Sequence, residues 1–239
     1  EYAIPFGMNI LVEAMDRPDF RLACEICEDV WVLDPPSTRH VLAGATVIAN
    51  TSASDETVGK DSYRRELIRS TSARLVSVYC YANAGDGEST TDLVFGGQDI
   101  IAENGSVVTE GRRFDTGLYI ADVDLQRITQ ERARMTTFPD IDDTLRDAYS
   151  IVKFRFTPAA TRVVPETLAG QLAADAADLR RYVDPKPFVP SGAAERNARC
   201  DEIFTIQALG LKKRLEHTGC QSAVIGISGG LDSTLALLV

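Results

Sequence analysis

Near its C-terminal end the chain carries Ala223–Thr234 (AVIGISGGLDST), a string with the make-up of a phosphate cradle. An apolar run leads into a glycine pair, and a helical pattern begins at hydroxyl residues. The backbone N–H groups of Gly229 and Gly230 can close on a phosphate, and Ser228, Ser233 and Thr234 add hydroxyl donors. A helix N-terminus adds its positive end. The string lacks the lysine of a Walker A loop, and its glycines are too close together for a G-x-G-x-x-G fingerprint. Asp232 would repel phosphate unless Mg²⁺ or a hydrogen-bonded structure offsets it. The competing reading is a strand-turn-helix corner whose glycines serve only close packing.

The second candidate is a cysteine. Cys24 and Cys27 have C-x-x-C spacing, but no second pair follows, which argues against a zinc site. In a strand the two side chains point to opposite faces. Cys24 shares parity with Phe20, Leu22 and Ile26 and is expected in the core. Cys27 takes the other face at the strand's end, where nucleophiles are presented. Glu28 and Asp29 follow directly and disfavour a thiolate, so a cation must lie close by. Lys60, the only lysine before Lys153, could supply that charge or hold a substrate carboxylate.

The elements that must position these residues read as an α/β layer with one antiparallel portion. Strands are expected at Phe20–Cys27, Ala45–Ala49, Leu75–Ala82 and Gly117–Val123. Two hairpins are expected within Asp92–Gly111, turning at Gly96-Gly97 and Asn104-Gly105. Helical patterns cover His40–Gly44, Asp61–Leu75 with Asp61 as N-cap, and Asp124–Met135. In the Asp61–Leu75 helix, Tyr63, Leu67 and Leu75 are spaced for the apolar face. Residues 139–189 read as a connector holding an alanine-rich helical piece at Leu168–Tyr182. The proline cluster Pro185–Pro190 marks the boundary. Beyond it come a helix at Glu195–Leu215, a strand at Gln221–Ile227, the loop Ser228–Ser233, and a helix from Thr234.

Composition narrows the partners. The 239 residues are 44% hydrophobic and 25% charged, typical of a folded globular chain. A formal charge of −10 argues against a nucleic-acid surface. From Pro190 onward five Lys+Arg balance five Asp+Glu, so the whole −10 lies in the first 189 residues. No membrane span or leader is expected, and two histidines, His40 and His217, exclude a multi-histidine metal centre. Five cysteines with irregular spacing suit a reduced cytoplasm. His40 is expected as a helix residue, and Cys80, Cys200 and Cys220 receive no role. The chain starts at Glu1 and stops inside an apolar run at Val239, so it reads as a piece of something longer.

The C-terminal string resembles the pyrophosphate loop of the N-type ATP pyrophosphatases, which adenylate a substrate and release pyrophosphate. With Phe188–Pro190 and the helix Cys200–Leu215, it is similar to the start of the synthetase domain of glutamine-dependent NAD⁺ synthetases. Cys24–Val32 (CEICEDVWV), Pro35–Ser37, Gly44–Ser54, Gly59-Lys60, Tyr81–Gly85, Glu88-Ser89 and Gln98–Gly105 resemble the nitrilase-type glutaminase domain of the same family.

That resemblance implies a nitrilase-like α-β-β-α sandwich, its C-terminal portion at 1–138. A connector at 139–189 follows, and then, at 190–239, the first strand-loop-helix of a Rossmann-like adenine nucleotide alpha hydrolase fold. It gives Cys27 the role of nucleophile on the glutamine side-chain amide, within a Glu-Lys-Cys triad whose Glu and Lys fall before Glu1. The N–H of Glu28 is then an oxyanion donor. The Glu28 side chain, Ser54 and Lys60 fall where glutamine's amino and carboxylate groups are held. Left without the resemblance, Ser54 reads as a turn hydroxyl and Lys60 as a solvated helix-start lysine. Gly226, Ser228, Gly229, Gly230, Asp232 and Ser233 are implied in ATP binding, with Mg²⁺ bridging the phosphates.

The implied reaction is amidation of nicotinic acid adenine dinucleotide to NAD⁺, with ammonia from glutamine and energy from ATP. A cytoplasmic homo-oligomer without nucleic-acid or membrane partners is expected, and the chain by itself should catalyse neither half-reaction. The alternatives are an ATP pyrophosphatase that modifies tRNA, against which the acidity counts, and a non-catalytic carbon–nitrogen-hydrolase-like scaffold.

Overall fold

The computed structural model describes residues 4–88, 91–156, 180–190 and 192–239. The helical piece expected at Leu168–Tyr182 falls, for the most part, outside the described residues, as does Ser89. The chain divides into two units, Glu1–Tyr182 and Val183–Val239.

The first unit is mixed α/β, built on one seven-stranded sheet. Its strands are β1 (Ile10–Ala14), β2 (Arg17–Ile26), β3 (Val47–Ser52), β4 (Val78–Asn83), β5 (Ile100–Glu103), β6 (Ser106–Glu110) and β7 (Ser150–Phe154), in the order β6-β5-β4-β3-β2-β1-β7. β2, β3 and β4 are parallel, as are β1 and β7, while the remaining pairs are antiparallel. The helices are α1 (Pro36–Leu42), α2 (Lys60–Leu75), α3 (Leu125–Arg134) and the single turn α4 (Asp143–Arg146).

Alternation along the strands divides the core between two faces. Ala23, Ile48, Tyr79, Ile100 and Ala102 pack with Val41 of α1 and Ile68 and Leu75 of α2. Val47, Val78, Leu22, Cys80 and Ile101 pack with Ile128 of α3 on the other side. Ile48, Ile68 and Ile100 are fully buried, each contributing about 2 kcal/mol. The mixed α/β architecture is the one expected for the C-terminal portion of a nitrilase-like fold, with one sheet among the described residues.

Several expectations are corrected. β7 pairs with β1, so Ser150–Phe154 is built into the first unit rather than lying in a connector. The Asp92–Gly111 stretch forms one hairpin, not two. Asn104 (φ 44) and Gly105 (φ 85) make its turn, while Phe95 bridges Asp55 in a loop. Gly117–Val123 finds no ladder partner among the described residues and is not a strand. Helix α2 is capped by Gly59 (φ 85), two residues earlier than the expected cap at Asp61. Its buried face carries Arg64, Ile68, Thr71, Ser72 and Leu75, while Tyr63 is 62% exposed.

The second unit contains α5 (Ala193–Thr218) and α6 (Leu231–Leu238). The segment 221–227 finds no ladder partner among the described residues and is not a strand. It is apolar enough for a strand, but the described residues of this unit offer no sheet for it to join. Helix α6 starts at Leu231, three residues before the expected Thr234. No helix among the described residues is long and apolar enough to cross a membrane.

Candidate functional site

Three parallel strands end at the same edge of the sheet, and the candidate residues sit just past them. Cys27 follows β2, Ser54 lies two residues beyond β3, and Asn83 closes β4. Carboxyl ends of parallel strands are where α/β sheets present side chains to ligands.

The ladder register sets these side chains in rows on the face covered by α1 and α2. Ala23, Ile48, Tyr79 and Ala102 are neighbours across four strands, and Glu25, Asn50, Tyr81 and Ile100 form the next row. Cys27 comes just past the Ile26↔Thr51 pair that ends the β2–β3 ladder, and on the neighbouring strands Ser52 pairs with Asn83. The face thus changes from apolar to polar as it nears Cys27.

Cys27 has φ 49, a left-handed conformation that costs a non-glycine residue about 1–2 kcal/mol. The chain turns there from β2 into the 3-10 turn Cys27–Val30. Asp29 Oδ2 accepts from the Ile26 N–H at 2.7 Å, and Asn50 Nδ2 donates to the Cys27 carbonyl at 3.5 Å. The elbow is held from both sides. The Asp29 carboxylate is engaged by backbone, and Glu28 is exposed. Cys27 itself is partly exposed.

Cys24 corrects the sequence reading. It is exposed, and Ala23 and Glu25 take the buried positions. The face that Cys24 and Ile26 occupy is covered near α3 but open toward the end of β2, where Ile26 is 66% exposed.

Around the elbow the polar groups are interlocked. Ser52 Oγ donates to Asn50 Oδ1 at 2.6 Å. The Tyr79 hydroxyl donates to buried Glu25, whose second oxygen accepts from the Ser37 N–H at 2.8 Å. Burial, then the charge of Glu25, pushes the Tyr79 phenol up. Burial also pushes up Tyr81, against the nearby hydroxyls of Ser52 and Ser54 and the charge of Arg64.

Ser54 is buried, not a surface turn hydroxyl. Its N–H donates to Asn83 Oδ1 at 2.8 Å, its carbonyl accepts from Asn83 Nδ2 at 3.1 Å, and its Oγ accepts from Arg64 at 3.3 Å. Lys60 opens α2 against the helix dipole, and Asp55 offsets it with an ion pair of 2.6 Å. The Lys60 hydrogen bond holds the Asp55 carboxyl below its ordinary range. Lys60 Nζ also lies 5.8 Å from the centroid of Trp31, which closes the turn that Cys27 opens. The sequence left Lys60 either to supply a cation for Cys27 or to hold a substrate carboxylate; the structure pairs that lysine with Asp55.

His40 is a satisfied core residue. Its Nδ1 is 2.8 Å from the Tyr149 hydroxyl and its Nε2 3.1 Å from the Cys24 carbonyl. The sequence reading gave no role to Arg64, fully buried beneath Ser54. Its spacing from Ile68 and Leu75 on α2 was the available signal.

In the second unit the loop folds around two serines. Ser233 Oγ accepts from the Ser228 N–H at 3.3 Å and donates to the Gly230 carbonyl at 3.1 Å; Ser228 Oγ accepts from the Gly230 N–H at 3.4 Å. Gly230 caps α6, and Asp232 lies in its first turn. A Cβ on Gly226 or Gly229 would meet nothing within 4 Å, so close packing does not require these glycines. The φ of 84 at Gly229 does. Ser228, Gly229, Gly230 and Asp232 are exposed, and Ser233 is half-buried. The described residues contain no group of three or more His, Cys, Asp or Glu suited to a metal.

Sequence comparison joins the two sites. The chain is 42% identical to glutamine-dependent NAD(+) synthetases of Mycobacterium bovis and Mycobacterium tuberculosis over 241 aligned positions, covering 99% of the chain. The chain is homologous to the glutamine-dependent NAD(+) synthetases. It spans about a third (33%) of the length of these relatives. The Thermotoga maritima synthetase is 26% identical over 98% of the chain and 36% of its own length. One alignment therefore runs through both the Cys27 elbow and the Ser228–Ser233 loop. No protein-family model matches. Among solved structures, a glutamine-dependent NAD(+) synthetase from Cytophaga hutchinsonii is 30% identical, with a TM-score of 0.36 over 44% of this chain and 16% of that one. A carbon–nitrogen hydrolase from Helicobacter pylori is 19% identical, with a TM-score of 0.39 over 48% of this chain and 43% of that one.

Proposed function

We propose that this chain serves glutamine-dependent, ATP-driven amidation of nicotinic acid adenine dinucleotide to NAD⁺. The Cys27 thiol attacks the side-chain amide of glutamine, forming a thioester and releasing ammonia; water then frees glutamate and regenerates the thiol. The Glu28 N–H donates to the oxyanion, and Glu28, Ser54 and Lys60 hold the amino and carboxylate groups of glutamine. The left-handed elbow presents the thiol at the strand end, and the hydrogen bonds of Asp29 and Asn50 fix it there.

Gly226, Ser228, Gly229, Gly230, Asp232 and Ser233 receive the phosphates of ATP. Exposed hydroxyls and N–H groups at the start of α6 suit an anion. Mg²⁺ would neutralise phosphate charge, with Asp232 the carboxylate at hand, which suits an ion that takes one or two carboxylates plus phosphate oxygens. ATP adenylates the dinucleotide carboxylate with release of pyrophosphate, and ammonia then displaces AMP to form the amide. The setting is the reduced cytoplasm, in a homo-oligomer.

What supports this reading most is the 42% identity over 99% of the chain, continuous through both sites. The test uses the full-length natural protein with Cys27→Ala, supplied with glutamine or with ammonia. Loss of glutamine-supported NAD⁺ formation with retention of the ammonia-supported reaction is expected. Retention of both overturns the assignment of the nucleophile.

A further inference from the structure

The buried face of α2 carries a charge that the proposed chemistry does not use. Arg64 is fully buried, and its guanidinium addresses acceptors on two loops. It donates to Ser54 Oγ at 3.3 Å, to the Asp55 carbonyl at 3.2 Å, and to Glu56 Oε1 and Gln98 Oε1 at 2.6 Å each. Three consecutive residues, 54–56, are thus held by one side chain. Lys60 starts the same helix one turn earlier, and its Asp55 partner is the middle one of the three.

Stability alone is a poor reason for this arrangement. Desolvating two opposite charges is costly, and an apolar pair of similar volume is often as stable or more so. Arg64 Nε and Glu56 Oε2 are buried without a hydrogen-bond partner, Glu56 Oε2 having only the half-exposed Arg113 guanidinium at 3.7 Å. The Glu56 carboxylate is seated so tightly that a Cβ on Gly96 would fall 2.5 Å from its Oε1. What the pair supplies is geometry: a planar fork reaches four acceptors at once, which a lysine ammonium cannot match.

We propose that Arg64 is the positioning residue of the amide site. Its guanidinium fixes residues 54–56 so that the Ser54 hydroxyl and the Asp55–Lys60 pair meet the amino and carboxylate groups of glutamine. This rests on the reading of Cys27 as a glutaminase nucleophile. Arg64 touches no substrate; it acts through Ser54 and Asp55.

The test compares two alkylating reagents on Cys27 in the full-length natural protein. One is a diazoketone analogue of glutamine, which carries the amino and carboxylate groups, and the other is iodoacetamide, which carries neither. In Arg64→Met/Glu56→Gln, which leaves no unpaired buried charge, labelling by the analogue slows about ten-fold or more, while iodoacetamide labelling stays within about two-fold. Arg64→Lys, which keeps the charge but loses the fork, gives the same split and a raised KM for glutamine, with ammonia-supported activity unchanged. Equal slowing by both reagents, or no slowing by either, overturns the proposal. So does loss of cooperative melting in both variants, which would make Arg64 a residue of stability alone. Failure of the analogue to label Cys27 in the wild-type protein would instead overturn the glutaminase reading itself.

Discussion

Asn83 clasps Ser54 with both ends of its side-chain amide, accepting from the Ser54 N–H at 2.8 Å and donating to the Ser54 carbonyl at 3.1 Å. The clasp continues the β3–β4 pairing past Ser52↔Asn83, where the ladder ends. Side chain replaces backbone, so the strand end is held while its exit direction stays free to turn toward α2.

Removing the clasp should act on stability and on substrate together. Asn83→Ala loses two hydrogen bonds, each worth ~1 kcal/mol net, so denaturant unfolding should show a loss of about 2 kcal/mol. The KM for glutamine should rise while ammonia-supported turnover holds. An unchanged KM would show that Ser54 does not depend on this contact.

The glycine loop gives the opposite pattern. The Cβ of Gly229→Ala would enter open space, but at φ 84 it is strained by about 1 kcal/mol. Thermal melting should move little. Amidation should fall about ten-fold or more with either nitrogen source, because the phosphate donors are displaced. Wild-type activity with ammonia would remove Gly229 from the ATP site.

His40 makes stability depend on pH. Burial holds its imidazole below the ordinary value of 6.5, outweighing the opposing charge of Glu25. The unfolded chain then binds the proton more readily than the folded one. Stability from this group is fully present above about pH 6.5 and is lost as pH falls through the lowered folded value. Chemical denaturation at pH 7.5 and pH 5 should show a smaller difference in His40→Gln than in the wild type. An equal difference would assign the acid sensitivity to other groups.

Much of the site was legible because it lies on strand ends and glycine turns. Parity placed Cys27 opposite Cys24, and the hydroxyl–glycine string placed the loop before α6. Parity failed for Cys24 because it reveals two faces but not which one is covered. Arg64 was missed because burial of an arginine depends on acceptors from residues 54–56 and Gln98, which are up to 34 positions away in sequence. β1 and β7 were missed as a pair, since their partnership joins residues separated by nearly the whole first unit. The strand expected at Gln221–Ile227 shows the limit from the other side. An apolar run specifies a strand only where a sheet is there to receive it.

The most direct measurement follows glutamine onto the thiol. The full-length natural protein is quenched in acid during glutamine turnover, and its cysteine peptides are examined by mass spectrometry before and after treatment with hydroxylamine. The expected result is a glutamyl adduct on the peptide containing Cys27, released by hydroxylamine as the hydroxamate and absent in Cys27→Ser. Steady glutamine hydrolysis by Cys27→Ser, or an adduct on another cysteine with Cys27 unmodified, would contradict the role of Cys27 as the nucleophile.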